Sequence, residues 1–475
     1  MPDRVLLVGL DFGTTTSCAV VASAAVTINS ITGRMELSRI QREFQPDQVF
    51  TPLVNDHLDE ARLGEYLDRW LDRVDRQRIF GGGAIITGLA AQKTNAAAIA
   101  RQTRRYLQDA IFAVSEDPCL ESWLAFMGNC ADLSRAHADR VFVNLDMGGG
   151  TTNLAAGCKG EVMSTGSFFV GARHVQLAPG SYQIERLSLY ARQLLDHLGI
   201  HKQVGDFLAE PQVSAIVGWY LRLLEDVVSG TADVRAEPVT SLHQQVPFKL
   251  PPESADVAIT LSGGVGQLVY SYLQGGGWPA TTAFGDLGID LARGIVESPF
   301  WRRHLQAFVP TTLGRATVYG LLRYNTQVSG NTLYLSDPTL LPLCDLVVLG
   351  SIGPGTSPSE VARLLTLAER TAHGACLRIE LPNHNPAALR GLANTLRQAL
   401  AGRQTSAQVP LVLLLRENLG KVFGQYLTNW RTSSVPIVVI DEIDPRDVQF
   451  AHLGAMREGV VPVSFYGMTP TGESS

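Results

Sequence analysis

The sequence predicts an α/β protein in which one strand-and-turn design occurs twice and a further α/β region follows. Three observations carry this prediction. An apolar run at residues 6–21 bends through an acid and a glycine–threonine cluster, the same design returns at 141–157, and an apolar strand runs into glycines at 257–269. At 475 residues the chain exceeds one ordinary core, so roughly two to four domains are expected.

Composition narrows the class. Hydrophobic residues at 45% and charged residues at 18% describe a globular chain able to bury a large interior. A net charge of −6, with basic residues scattered among acidic ones, gives no footprint for nucleic acid. Cys18, Cys119, Cys130, Cys158, Cys344 and Cys376 are dispersed, without the close pairs of a zinc ribbon or a redox motif. Reduced thiols in the cytoplasm fit that spacing. No apolar run approaches the ~18 residues that cross a bilayer, and the N-terminal run is broken by Asp11, so neither export nor a membrane partner is expected.

The elements follow from period and punctuation. Residues 4–23 read as two strands joined by a polar turn, 66–74 and 96–107 as helices, 81–88 as a glycine-bounded strand, and 120–127 as a helix. When Asp146 is set over Asp11, Gly148 falls over Gly13, so the first turn is duplicated in the second lobe. The stretch 183–229 reads as predominantly helical, and the proline-rich stretch 238–252 as a surface connection. Beyond Pro338, strand and helix periods alternate with short connections, which predicts a layer of parallel strands.

A glycine-rich turn after a buried strand presents successive backbone N–H groups without a Cβ in the way, and neighbouring threonine hydroxyls add donors. Gly13, Thr14, Thr15 and Thr16 form one such cradle, and Gly148, Gly149, Gly150, Thr151 and Thr152 the other. Phosphate suits both. A carboxylate opening the same turn would repel phosphate, so Asp11 and Asp146 imply a cation between them, best matched by hydrated Mg²⁺. One Asp-x-Gly-Thr after a strand is commonly a plain hairpin turn. Two of them, followed by Ser262-Gly263-Gly264-Val265-Gly266, point to a nucleotide.

Other motifs are excluded or bland. There is no G-x-x-x-x-G-K-[ST], and no strand leads into G-x-G-x-x-G. His197 and His201 are four apart but lack a third ligand, and read as a surface pair. Gly420-Lys421 lacks its upstream glycine and reads as part of a helix.

These residues resemble the superfamily of actin, heat-shock chaperones and sugar kinases, the actin-like ATPase fold, in which two duplicated RNase H-like lobes close on ATP. The turn opened by Asp11 is similar to its first phosphate loop, the turn from Asp146 to Asn153 to its second, and Ser262 to Gly266 to its adenosine motif. Within that superfamily the chain most resembles the ethanolamine ammonia-lyase reactivating factors of bacterial ethanolamine utilisation, over almost its full length. The segments that carry this are "GLDFGTTTS", "GAIITG", "LDMGGGTTN", "ITLSGGVG", "RATVYG", "GKVFG", "VPIVVIDE" and "GVVPVSF". Four positions depart from the family pattern: Leu89 and Gln267 stand where acidic residues are usual, and Leu321 and Leu322 where small ones are.

The resemblance implies a first lobe at 1–138, a second at 139–335 and a C-terminal region at 336–475. It implies a Mg²⁺-dependent ATPase coupled to one client, ethanolamine ammonia-lyase, from which damaged cobalamin is released so that intact adenosylcobalamin can enter. Adenosylcobalamin is then handled on the client and is not a tightly bound cofactor of this chain. Asp11 and Asp146 would be catalytic and hold the ion, and Glu121 would orient the attacking water from the helix linking the lobes; a helix-start carboxylate is its other reading. The family setting is the cytoplasm, in association with a bacterial microcompartment. A small-molecule kinase, a nucleotide-binding scaffold without hydrolysis and a diol dehydratase reactivase remain as alternatives.

Overall fold

The run Val5–Phe12 carries apolar residues towards both faces, so it forms a central strand covered on each side. A short bend returns it antiparallel to Thr16–Ile28, which pairs in turn with Met35–Phe44. On its other side Val5–Phe12 pairs parallel with Ile79–Ile86, which is followed by Phe112–Ser115. The computed structural model describes residues 4–469 apart from 55–56, 93, 108–111, 232–236, 252–256, 306, 311, 331, 382–384, 404–408, 432–433 and 445. Helix Glu60–Leu71 closes one face of this sheet, with Trp70 stacked 6.4 Å from Phe12 and 5.8 Å from Tyr66.

The second lobe repeats the plan. Val141–Met147 pairs antiparallel with Thr152–Cys158, that strand pairs antiparallel with Glu161–Phe168, and Val257–Ser262 lies parallel on the open side of Val141–Met147. Three antiparallel strands followed by a parallel one beside the first, occurring twice, make two RNase H-like lobes and hence the actin-like ATPase fold.

One expectation in this lobe needs correction, and a second holds with a strand added at its start. The stretch 238–252 is not a plain surface connection: it contains helix Pro238–His243 and strand Gln244–Val246, which extends the sheet beside Glu161–Phe168. Pro238 misleads because proline is compatible with the first turn of a helix, where its missing N–H has no partner to lose. Pro252 lies outside the described residues. The stretch 183–229 holds helices Leu189–His197 and Glu210–Ser229, but it opens with strand Ile184–Leu187, paired with Val175–Leu177.

The third sheet is mixed, not wholly parallel. Leu343–Ile352, Ala375–Ile379, Leu411–Leu415 and Ile437–Ile440 are parallel neighbours, as alternation predicted. The hairpin Val448–Leu453 and Val461–Met468 adds antiparallel on one side, because the bridge Arg457–Val460 turns the chain straight back. The edges are Gln327–Ser329 and Tyr334–Leu335, so this sheet starts ahead of residue 336. Flat, eight strands would set the edges ~34 Å apart, whereas five residues of chain span at most ~18 Å. The sheet therefore curls. Val412, Val438 and Phe465 fill its inside, while Leu411, Leu413 and Ile437 face helices Pro358–Ala368, Pro386–Leu400 and Gly420–Thr428.

Helices Pro118–Asn129 and Ala316–Gly320 cross between the lobes. A Cβ on Gly128 would lie 1.9 Å from the Ala316 carbonyl oxygen, and one on Gly320 would lie 2.1 Å from that of Leu124. Each glycine thus admits the other helix's backbone. Leu321 and Leu322 are buried; Leu322 packs against Gly9 in the central strand of the first lobe. Gly128→Ala or Gly320→Ala should therefore lower stability by about 1–3 kcal/mol or more, read as a drop in urea midpoint, while Gly391→Ala, which has open space, should not.

Candidate functional site

The two acid-bearing strands end side by side. Asp11 lies opposite Cys18 and beside Ile85, and Asp146 lies opposite Asn153 and beside Ser262, so the acids occupy corresponding registers in the two lobes. Each bend is closed by the same bond: Gly13 N donates to Thr16 O at 3.0 Å, and Gly148 N donates to Thr151 O at 3.0 Å. A cavity of about 380 Å³ between the lobes is lined by both turns.

Its wall contains Asp11, Glu121 and Asp146, together with Gly13, Thr14, Thr15, Thr16, Gly148, Gly149, Gly150 and Thr151. From the third corner, Gly263, Gly264 and Val265 reach it. Helix Gly263–Leu273 lays Gly264, Gln267, Leu268 and Ser271 along the cavity at helical spacing, with Phe284 at the rim. The turns also touch each other. A Cβ on Gly149 would lie 2.2 Å from Thr15 Oγ1, and one on Gly150 would lie 2.7 Å from Thr14 Oγ1.

Three residues expected at the nucleotide stand behind the wall. Thr152 is fully buried and donates from Oγ1 to Val170 O at 2.7 Å, bracing the second turn. Ser262 donates from Oγ to Asp146 Oδ1 at 2.5 Å and accepts from Asn144 Nδ2 at 2.9 Å, so it aims the acid. Gly266 backs onto Leu261. The reason is register: Ser262 still belongs to the sheet, one residue short of the glycines that open the corner.

The acids are held in costly surroundings. Burial, then the charge of Asp146, moves the Asp11 carboxyl from the ordinary 3.8 up to about 7, against the pull of the Thr87 hydroxyl, which donates at 3.1 Å. Burial raises Asp146 too, opposed by the hydroxyls of Ser262 and Thr317. Glu121 is pushed well above the usual range by burial, then by Asp11 and Asp146, with Asn153 and Thr87 opposing. No lysine or arginine lines the cavity among the described residues. Four carboxyls around one space, Asp286 being the fourth, flanked by turns in which Gly149 and Gly150 leave no room for a Cβ beside the opposite lobe, form a donor set that a hydrated Mg²⁺ and a phosphate chain fit.

The sequence matches the family described as ethanolamine utilisation protein EutA over residues 3–468. The chain belongs to the EutA family. It is 29% identical to the ethanolamine ammonia-lyase reactivase EutA of Salmonella typhimurium over 97% of each chain. It is 28% identical to the protein of the same description in Escherichia coli, again over 97% of each. Among solved structures, a Ppx/GppA family member from Aquifex aeolicus matches 59% of this chain and 73% of its own at 15% identity, with a TM-score of 0.33.

The EutA departures have visible effects. Leu89 donates its backbone N–H to Thr14 Oγ1 at 2.7 Å and sets its side chain against Gly150, so the position where the resemblance leads one to expect a charge makes an apolar contact. Gln267 lines the cavity and places its amide oxygen over Gly314. Sequence reasoning missed Gln48, Asp286 and Thr317, all of which line the cleft. Asp286 is pushed up to about 6 by burial, against the Gly288 N–H and Arg173. Its position between Gly285 and Gly288 copies the acid-and-glycine signature of the other corners and could have flagged it. No helix among the described residues is long and apolar enough to cross a membrane.

The raised Asp11 carboxyl gives a signed pH effect. Folding takes up a proton between pH 3.8 and about 7, so this group's contribution to stability is full below the lower value and is lost as pH rises through the upper one. Asp11→Asn escapes that loss. In metal-free, nucleotide-free buffer above neutrality the variant should be more stable than the parent, by up to on the order of a few kcal/mol, and the two should converge on acidification; equal urea midpoints at both pH values would contradict this.

Proposed function

We propose that this chain is an ATP-dependent reactivase that frees inactivated ethanolamine ammonia-lyase of damaged cobalamin, so that intact adenosylcobalamin can take its place. The observation that carries the reading is that Asp11, Asp146 and Glu121, drawn from both lobes and a crossing helix, line one cleft with two glycine turns in contact. Membership of the EutA family and the names of the Salmonella and Escherichia relatives supply the client.

On this reading the amides of the two turns hold the phosphates, and helix Gly263–Leu273 offers its cavity-facing side to the nucleoside. Asp11 and Asp146 would hold a hydrated Mg²⁺, which would supply the positive charge that the wall lacks. Glu121 accepts the proton of the attacking water once a bound cation has offset the charges of Asp11 and Asp146, which together with burial raise its own proton affinity. The water oxygen bonds to the terminal phosphorus, the bond to the bridging oxygen breaks, and ADP leaves.

Because the turns belong to different lobes, a ligand with a terminal phosphate touches both and one without it touches less. Only such a difference in contact can shift the angle between lobes. That movement, pivoting where the two helices cross, is the part of the cycle that would strain the client's grip on its cofactor. The protein then works beside its client, in the cytoplasm or at a bacterial microcompartment.

The test uses client inactivated by cyanocobalamin, with ATP, Mg²⁺ and fresh adenosylcobalamin. The parent should restore activity, and Asp11→Ala or Asp146→Ala should lower both ATP turnover and rescue by at least about a hundredfold while remaining folded. Full rescue without ATP, or by either variant, would refute the energy-coupled mechanism.

A further inference from the structure

The helix that carries Glu121 is gripped from the third sheet. Arg446, in the connection between Ile437–Ile440 and Val448–Leu453, sets its guanidinium 4.4 Å from the ring centre of Trp123 and 5.8 Å from that of Phe465. Trp123 stands two residues after Glu121 on helix Pro118–Asn129. The same guanidinium donates to Tyr324 O at 2.6 Å and to Asn325 Oδ1 at 3.2 Å, on the turn Leu321–Asn325 that prolongs the other crossing helix. One cation therefore holds both crossing helices.

A second tie secures the start of the Glu121 helix. Asp117 accepts from Leu120 N through Oδ1 at 3.0 Å, as a helix cap does. Its other oxygen accepts from Gly467 N at 2.5 Å and Met468 N at 3.4 Å, on the last strand of the third sheet. Tyr466 of that strand packs with Leu120, Leu124 and Leu321. A cavity of about 730 Å³ at the carboxyl ends of the parallel strands, lined by Arg378, Arg416, Glu380, Glu417 and Phe465, opens onto Arg446. The grip is thus reachable from outside the nucleotide cleft.

We propose that Arg446 is a positioning residue for nucleotide hydrolysis: by clamping Trp123 it sets where Glu121 stands in the cleft and couples the third sheet to the chemistry. The stacked, forked geometry requires arginine, since a lysine ammonium cannot lie flat on the indole while bonding two acceptors on one plane. This rests on the reading that Glu121 serves hydrolysis, and the test separates the two.

Steady-state ATP hydrolysis with Mg²⁺ is measured on the full-length chain for Glu121→Gln, Arg446→Gln, Trp123→Leu, the Arg446–Trp123 double variant and Arg403→Gln, with urea midpoints for each. Arg403 makes its contacts within the third region, pairing with Glu369 at 2.7 Å, and serves as the control for general loosening. Arg446→Gln and Trp123→Leu should each lower kcat about tenfold or more with KM for ATP within about twofold. The double variant should be no worse than the poorer single, because both cut one link. Arg403→Gln should keep kcat even where its midpoint falls. Unchanged kcat in Arg446→Gln alongside an inactive Glu121→Gln overturns the positioning role alone. Losses that multiply in the double variant, or that follow the urea midpoint across all five including Arg403→Gln, overturn it as well. Undiminished turnover by Glu121→Gln instead removes the hydrolytic role of that residue.

Discussion

Two helices meet backbone to backbone, and the rest of the molecule is arranged around that crossing. Gly128 and Gly320 each lie where a side chain would strike the partner's carbonyl oxygen, so the crossing is set by main-chain atoms. Its effects reach the cleft directly. Two turns upstream of Gly128 the first helix presents Glu121, and one turn before Gly320 the second presents Thr317, whose hydroxyl lies 3.5 Å from Asp146 Oδ2. Val318, next along, packs against Gly9 in the central strand of the first lobe. A shift at the crossing therefore moves an acid, an acid's partner and a lobe together, which is how a packed interface turns a small displacement into a change of state.

The cleft concentrates like charges. Burial raises the proton affinity of all three acids, Asp146 adds to the rise at Asp11, both aspartates add to it at Glu121, and the hydroxyls of Thr87, Ser262 and Thr317 offset only part of it. Such a site is poorly stable alone and is completed by a ligand of opposite charge, the usual relation between function and stability at a preorganised centre. Behind Asp146 the network is closed: Asn129 donates to Asn144 at 2.7 Å, Asn144 donates to Ser262, and Ser262 donates to the acid, so the crossing helix and the second sheet aim the carboxylate jointly.

Much of this is legible in the sequence alone. The corners at Asp11, Asp146 and Gly263 stand out because phosphate-binding turns need residues without side chains directly after buried strands, a local demand that leaves a local signature. What depends on pairing between distant segments was not legible. Gln244–Val246 is too short for a two-residue period to show, and the antiparallel return of Val461–Met468 follows from a turn at Arg457 and Val460 that lacks a strong turn dipeptide. Ser262 was misplaced for the same reason: whether the last residue of a strand faces ligand or neighbour is decided by register. Asp117 and Arg446, ordinary in sequence, acquire their roles only when the final strand folds back onto the Glu121 helix.

The curled third sheet bears on how the chain can be cut. Its two border strands, Gln327–Ser329 and Tyr334–Leu335, come from consecutive segments ahead of residue 336, so the short link between them works as a clasp. A fragment begun after that link would carry the parallel strands and the hairpin but no fasteners, leaving raw ladders of N–H and C=O groups on both sides, the geometry from which strand-to-strand association between molecules proceeds. The first two lobes made alone would in turn end in an orphaned clasp. The region is thus a limb of the whole, inheritable and movable between proteins only together with the segment that fastens it.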